Sequence, residues 1–143
     1  MTGLRSRKEQ LRYGKYLKVS DKNVCPFCDI DKHNPAYIEE TKYFLVIVNQ
    51  FPYTLMDSQP VVQHYMVTPK EHVSSIKSLS SEAKIDYVNL LEKYHKKGYN
   101  TFTRAGTSVI RSIDHYHTHL LKPGNIVHRF VLAIRKPYIR IAK

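Results

Sequence analysis

At 143 residues with 42% hydrophobic content, the chain suits one compact domain, and no apolar stretch approaches the length of a membrane span. The formal net charge of +11 sits at the two ends: residues 1–22 hold seven Lys/Arg against Glu9 and Asp21, residues 122–143 hold six and no acid, and the span between has ten of each sign. That placement suits contact with a polyanion such as nucleic acid, a ribosome or a phosphorylated substrate, and it equally describes a solvated basic surface.

Met1, Thr2, Gly3, Leu4 and Arg5 run into charged residues without an apolar core, so no secretory signal is expected and a cytoplasmic location is the default. Residues 3–18 place Leu4, Leu11 and Leu17 among basic residues, with Gly14 interrupting, which predicts a short basic helix or a partly ordered arm over residues 1–22. The domain proper is expected over residues 23–143. Cys25 and Cys28 are the only cysteines, and their CxxC spacing suits metal or redox chemistry better than a structural disulfide. Residues 24–28 read as a turn and 29–35 as a polar loop. Residues 43–49 are rich in β-formers and predict a buried strand. A loop over 50–60, punctuated by Pro52 and Pro60, leads to a second strand at 64–68, ended by Pro69.

Ser80 or Ser81 is a fitting N-cap, with Glu82 in the first turn. Ala83, Tyr87, Leu90, Leu91 and Tyr94 then follow helical spacing until Lys93, Lys96, Lys97 and Gly98 mark the end. Strands are expected at 99–105, at 112–121 and at 127–134. One clear helix among strands joined by loops predicts an α+β fold with a mainly antiparallel sheet. There is no internal repeat and no interdomain linker.

The segment at 112–121 is the most informative. His115, His117 and His119 recur at a period of two, which on a strand puts all three imidazoles on one face, stepped by roughly 6–7 Å. Imidazole titrates near neutral pH and can attack phosphorus, donate to a phosphate or bind a metal. Buried rings need polar partners, so three together are costly as inert core. Satisfied structural histidines, a metal-binding strand and a catalytic strand are the three readings.

With its surroundings, this run resembles the histidine triad superfamily of nucleotide hydrolases and nucleotidyl transferases. His115-Tyr116-His117-Thr118-His119-Leu120-Leu121 follows that family's His-x-His-x-His-x-x motif. His64-Tyr65-Met66-Val67-Thr68-Pro69-Lys70-Glu71-His72 matches its His-x-x-x-x-Pro-Lys-x-His segment. Cys25-Pro26-Phe27-Cys28, and Asn49 ahead of Phe51-Pro52, fall in the expected order, so the likeness spans residues 25–121.

The resemblance implies a five-stranded antiparallel sheet, one main helix, a homodimer, and a nucleotide lying across the sheet with its α-phosphate at the triad. It implies that His117 attacks that phosphorus and forms a covalent nucleotidyl-histidine, which water or another acceptor then releases. His119 and His64 match phosphate-contacting positions, Ser112 a hydroxyl that touches the phosphate or leaving group, and Asn49 a nucleotide contact. One branch of the family holds a structural zinc through positions that map to Cys25, Cys28, His72 and His115, a closed Cys₂His₂ set. The sequence departs from the family pattern at Ile110-Arg111-Ser112, where Gly-Gln-Ser is frequent, and at Lys122-Pro123, where Pro-Arg is frequent. Arg111 could therefore reach a phosphate or face solvent. His33, His95 and His128 match nothing in the motif and read as surface or loop residues.

The activity so implied is hydrolysis of nucleoside phosphoramidates or dinucleoside polyphosphates. Two alternatives carry different chemistry. In one, the basic termini hold a DNA or RNA strand while the triad removes a 5′-linked nucleotide. In the other, the protein is a zinc-stabilised nucleic-acid-binding module without catalysis. A nucleotide sensor with slow turnover is a further variant.

Overall fold

A computed structural model of the chain describes residues 3–21, 23–108, 110–128, 131–135 and 138–142. The elements in chain order are β1 (Gly3–Leu4), α1 (Arg7–Val19), β2 (Tyr37–Glu40), β3 (Phe44–Val48), β4 (Leu55–Met56), β5 (Gln59–Pro69), a 3₁₀ turn at Ile76–Ser78, α2 (Ser81–Lys96), β6 (Asn100–Thr103), β7 (Thr118–Pro123), β8 (Val131–Arg135) and β9 (Tyr138–Ala142). Neither helix is long and apolar enough to cross a membrane.

The expected α+β class and antiparallel sheet are what the chain adopts. Five longer strands run in the order β2-β3-β5-β7-β6, every neighbouring pair antiparallel. Two-residue strands β4 and β1 extend the sheet beside the start of β5. β4 lies in the segment expected to be all loop, and β2 has no counterpart among the expected strands. The β4–β5 connection is a tight hairpin in which Asp57 and Ser58 both take positive φ, 49° and 63°, the backbone of a type I′ turn. Asp-Ser is a weaker signal for that turn than Asn-Gly, and so the hairpin hides in the sequence.

Strand alternation sorts the core onto two faces. On one, Phe44, Val46, Val67 and Leu120 meet the stripe of α2 formed by Ala83, Tyr87, Leu90 and Tyr94. Ser80 caps α2 by accepting from the Ala83 N–H at 3.2 Å, as its position in the sequence suggests. On the other face, Leu45, Ile47 and Met66 receive Phe27, while Leu121 packs with Tyr53 and Met56.

The histidine segment differs from expectation. Regular pairing starts at Thr118, opposite Val67 of β5 and Thr103 of β6, so His115 and His117 precede the strand instead of standing on it. The register would set Pro69 opposite Tyr116, and Pro69 has no N–H to give. The Tyr116 carbonyl accepts from the Thr68 hydroxyl instead, at 3.0 Å, and the Tyr116 N–H goes to the Val73 carbonyl. The last expected strand is displaced as well: residues 125–128 are irregular and exposed, residues 129 and 130 lie outside the described residues, and β8 pairs with β9 as a separate two-stranded sheet.

Thr118 is the buried first residue of β7, and its hydroxyl lies 2.6 Å from the Tyr87 hydroxyl and 2.7 Å from that of Thr103. This cluster ties α2 to the strand that carries the last triad histidine. Tyr87→Phe should lower unfolding free energy by about 1–2 kcal/mol in urea titration; an unchanged midpoint would show that the cluster adds nothing to stability.

Candidate active site

The N-terminal knuckle is pinned to the sheet by Phe27, whose buried ring packs on Leu45, Ile47 and Met66. That anchor brings two thiols up to two histidines from elsewhere in the chain. Cys25 Sγ lies 3.3 Å from His115 Nδ1, Cys28 Sγ lies 3.2 Å from His72 Nδ1 and 3.6 Å from His115 Nδ1. The four donor atoms fall within 4.8 Å of one another, and the set could hold a metal ion. A tetrahedron with metal–sulfur bonds of about 2.3 Å and metal–nitrogen bonds of about 2.0–2.1 Å has edges of roughly 3.3–3.8 Å; the three sulfur–nitrogen separations fall near that range, and the widest of the six, up to 4.8 Å, would close by about 1 Å around an ion. The backbone orients the His115 ring as a ligand. Its Nε2 donates to the Pro69 carbonyl at 3.0 Å, which leaves the Nδ1 lone pair facing the thiols.

Two residues on, the His117 Nδ1 donates to the His115 carbonyl at 2.9 Å, and Nε2 keeps its lone pair. Its ring meets that of His119 edge-on, with centroids 5.2 Å apart, and meets Phe27 at 5.5 Å. His119 and His64 form a directed chain. The Tyr53 backbone N–H donates to His64 Nδ1 at 2.9 Å, so the His64 proton resides on Nε2. Nε2 lies 2.9 Å from His119 Nδ1 and donates to it, which places the His119 proton on Nε2. Asn49 is fixed by its own Oδ1, which accepts from the Phe51 N–H at 2.9 Å. Its amide nitrogen then lies 3.1 Å from His64 Nε2, a nitrogen that in this tautomer offers no lone pair.

His64, His117, His119 and Asn49 are all buried. Burial is the main reason that His64 is pushed down to about 3, with the Arg5 charge second. Burial also holds His119 well below the ordinary imidazole range, followed by the neighbouring His64, His117, Arg104 and Arg5. His117 is lowered too, by burial first and by the Arg111 and Arg104 charges against the opposing pull of its bond to His115. All three rings are therefore neutral near pH 7.

His117, His119 and Asn49 line one cavity of about 930 Å³, which reaches from the cysteine knuckle to α1, whereas His64 is not part of its lining and meets it through His119. Ser112 is exposed on its rim. Arg111 lines it too, but its guanidinium is spent on the chain: Nε donates to the Ile113 carbonyl at 3.1 Å and Nη2 to the carbonyls of Ser74, at 2.9 Å, and Asp114. Through these two nitrogens it clasps the loop that leads to the triad. His33, His95 and His128 are exposed, as their lack of a motif suggests.

Residues outside the histidine and cysteine motifs complete the walls. Tyr53 stacks on His64 with centroids 5.0 Å apart, and Phe102 stacks on His119 at 5.8 Å. Tyr13 and Tyr16 of α1 pack against Phe51, Arg5 lies over Tyr53, and Arg104 bonds the Tyr53 hydroxyl. The one readable hint is Phe51-Pro52-Tyr53, an aromatic cluster in a segment otherwise expected to be loop.

No protein-family model matches the chain. Over 123 residues it is 28% identical to an uncharacterized 16.1 kDa HIT-like protein of Mycoplasma pneumoniae, an alignment covering 80% of this chain and 81% of that one. Over 106 residues it is 27% identical to the adenosine 5′-monophosphoramidase hnt1 of Schizosaccharomyces pombe, covering 71% and 75%. In sequence the chain thus resembles the histidine triad family over 71–80% of its length. Among solved structures, a Zn-bound histidine triad family protein from Mycobacterium smegmatis shares the fold, with a TM-score of 0.54 and 21% identity over 73% of this chain and 78% of that one.

The neutral buried rings have a cost at low pH. An unfolded His64 takes up a proton below about 6.5, whereas the folded one does so only near 3, so the unfolded state binds more protons in between. This contribution is complete above pH 6.5 and is lost as pH falls toward 3. Between pH 6.5 and 5, wild type should lose on the order of 1–2 kcal/mol more unfolding free energy than His64→Gln at equal metal loading. Equal losses in the two proteins would mean that His64 titrates normally.

Proposed function

We propose that the protein is a nucleotide hydrolase that acts at the α-phosphate of nucleoside phosphoramidates or dinucleoside polyphosphates through a nucleotidyl-histidine. The observation that carries this reading is the bond from His117 Nδ1 to the His115 carbonyl, which presents an unprotonated Nε2 beside two further neutral histidines. The similarity to an adenosine 5′-monophosphoramidase supports it.

In the proposed reaction the Nε2 lone pair of His117 forms a bond to the α-phosphorus as the bond to the leaving group breaks. The leaving group departs with that electron pair and gains a proton at the solvent-facing rim, where the Ser112 hydroxyl is within the same cavity. The His119 Nε2–H stabilises a non-bridging oxygen, and His64 holds His119 in the donating tautomer. The Asn49 amide supplies a further donor to the nucleotide. Water then attacks phosphorus, the P–N bond breaks, and the nucleoside monophosphate leaves with His117 neutral again. One substrate and one water give one nucleotide and one protonated leaving group.

The Cys25, Cys28, His72 and His115 set is read as a structural zinc site, because two thiolates and two imidazoles close a tetrahedron with no position for water. Zinc there would fix the His115 ring, and with it the carbonyl that orients His117. In the same reading the protein is a homodimer, as the family likeness implies, and its location is the cytoplasm by default.

A polynucleotide-linked substrate is the second reading. It is favoured by α1, which lines the cavity through Gln10, Tyr13 and Leu17 while Arg7, Lys8, Lys15 and Lys18 remain exposed. Activity on an adenylated oligonucleotide that falls steeply with salt, beside salt-insensitive turnover of mononucleotides, would mark it.

AMP release from adenosine 5′-phosphoramidate and diadenosine triphosphate tests the main reading. His117→Ala should cut the rate at least about a thousand-fold, and acid-quenched wild type should retain labelled nucleotide on protein. Turnover that survives in His117→Ala refutes the covalent route. For the metal, plasma mass spectrometry should find one zinc per chain in wild type and none in a Cys25→Ser, Cys28→Ser double variant. Chelation should lower the thermal midpoint of wild type by more than about 5 °C. A metal-free wild type of undiminished midpoint would rule the zinc site out.

A further inference from the structure

Tyr53 joins two arginines that arrive from distant parts of the chain. The tyrosine is itself packed in: its ring is buried, stacks on His64 and has its centroid 5.8 Å from that of His119. From the end of β6, Arg104 Nη2 donates to the Tyr53 hydroxyl at 2.6 Å, and the guanidinium carbon sits 5.0 Å from the Phe102 ring. From the segment before α1, the Arg5 guanidinium carbon lies 4.8 Å from the Tyr53 ring centre and 4.3 Å from that of Tyr13, while Nε donates to the Phe51 carbonyl at 2.9 Å. One cation thus meets the hydroxyl of the tyrosine and the other its face, and both line the cavity that holds His117 and His119.

The Tyr53 hydroxyl is the sole protein acceptor of Arg104 among the described residues, and no carboxylate there pairs with it. A guanidinium has five N–H donors in a planar fork, so Arg104 has most of its donors left for an oxyanion. The cavity lies near the upper end of the size expected for a small-molecule site.

Resting on the function proposed above, we propose that Arg104 and Arg5, fixed on Tyr53, form a second anion subsite that receives phosphate groups of the leaving group. The site is accordingly suited to substrates that expel a phosphorylated leaving group more than to those that expel a neutral amine. Arg104 engages phosphate through its fork, and Arg5 adds charge while joining the N-terminal arm to the site. Charge-assisted bonds of this kind fix geometry as well as affinity.

Two measurements test this. Calorimetric titration with inorganic pyrophosphate should show binding to wild type that weakens at least about tenfold in Arg104→Gln. In steady-state assays, the ratio of kcat/KM for diadenosine triphosphate to that for adenosine 5′-phosphoramidate should fall by at least about tenfold in Arg104→Gln, and in the same direction in Arg5→Gln. Equal loss on both substrates would overturn the subsite and reduce Arg104 to support for Tyr53. Undiminished pyrophosphate binding in Arg104→Gln would overturn it too. If neither substrate turns over but pyrophosphate binds wild type and not Arg104→Gln, the hydrolase reading fails and the anion subsite stands.

Discussion

Proline at position 69 has no N–H to give the sheet, and the site is organised around the gap that this leaves. The ladder between β5 and β7 stops at Thr118, two residues short of Tyr116. The Pro69 carbonyl, with no ladder partner, takes the His115 ring instead, and the Tyr116 N–H turns to Val73. A fully paired strand would have carried His115, His117 and His119 in line. The interrupted one sends His115 to the cysteines and leaves His117 and His119 on the cavity. His115 then links the two centres, since its ring reaches both Pro69 and the thiols while its carbonyl fixes the His117 tautomer.

A second consequence is directional. The hydrogen bonds from the Tyr53 amide through His64 to His119 leave no choice of proton position once the first donor is a backbone N–H, which cannot invert. Burial keeps both rings neutral, so the chain ends in a donor on His119. His117, bonded to a carbonyl, ends in an acceptor. A donor and a nucleophile side by side suit an electrophile that carries negative oxygens, and this opposition in two chemically identical side chains arises entirely from what their Nδ1 atoms touch.

Local features of the fold are legible in the sequence wherever a periodic pattern meets a capping residue. Ser80 followed by Ala83, Tyr87, Leu90 and Tyr94 delimits α2 because cap and stripe agree. The four potential metal ligands can be named because their residue types and order match a known pattern, although the physical reason they converge is Phe27, which no spacing rule marks. The histidine strand begins later than the sequence suggests because alternation continues through 115–119, while the partner strand runs out of donors at Pro69. The β4–β5 hairpin is hidden for a comparable reason: left-handed backbone at Asp57 and Ser58 is imposed by pairing on either side, against a weak local preference.

Arg5, Tyr53 and Arg104 mark where pattern reading stops. Each is ordinary in its own segment, and their meeting depends on contacts across as many as 51 residues of chain. The N-terminal segment read in isolation is a basic arm, and its charge suggests an unspecific polyanion contact. In the folded protein Arg5 is drawn off that surface onto Tyr53, and α1 faces the cavity through Gln10, Tyr13 and Leu17. The basic end of the chain is therefore divided in function: the lysines and arginines on the outer face of α1 remain in solvent, while one cation is placed beside the triad. A count of charge cannot separate the two, because what distinguishes Arg5 is the buried tyrosine it covers.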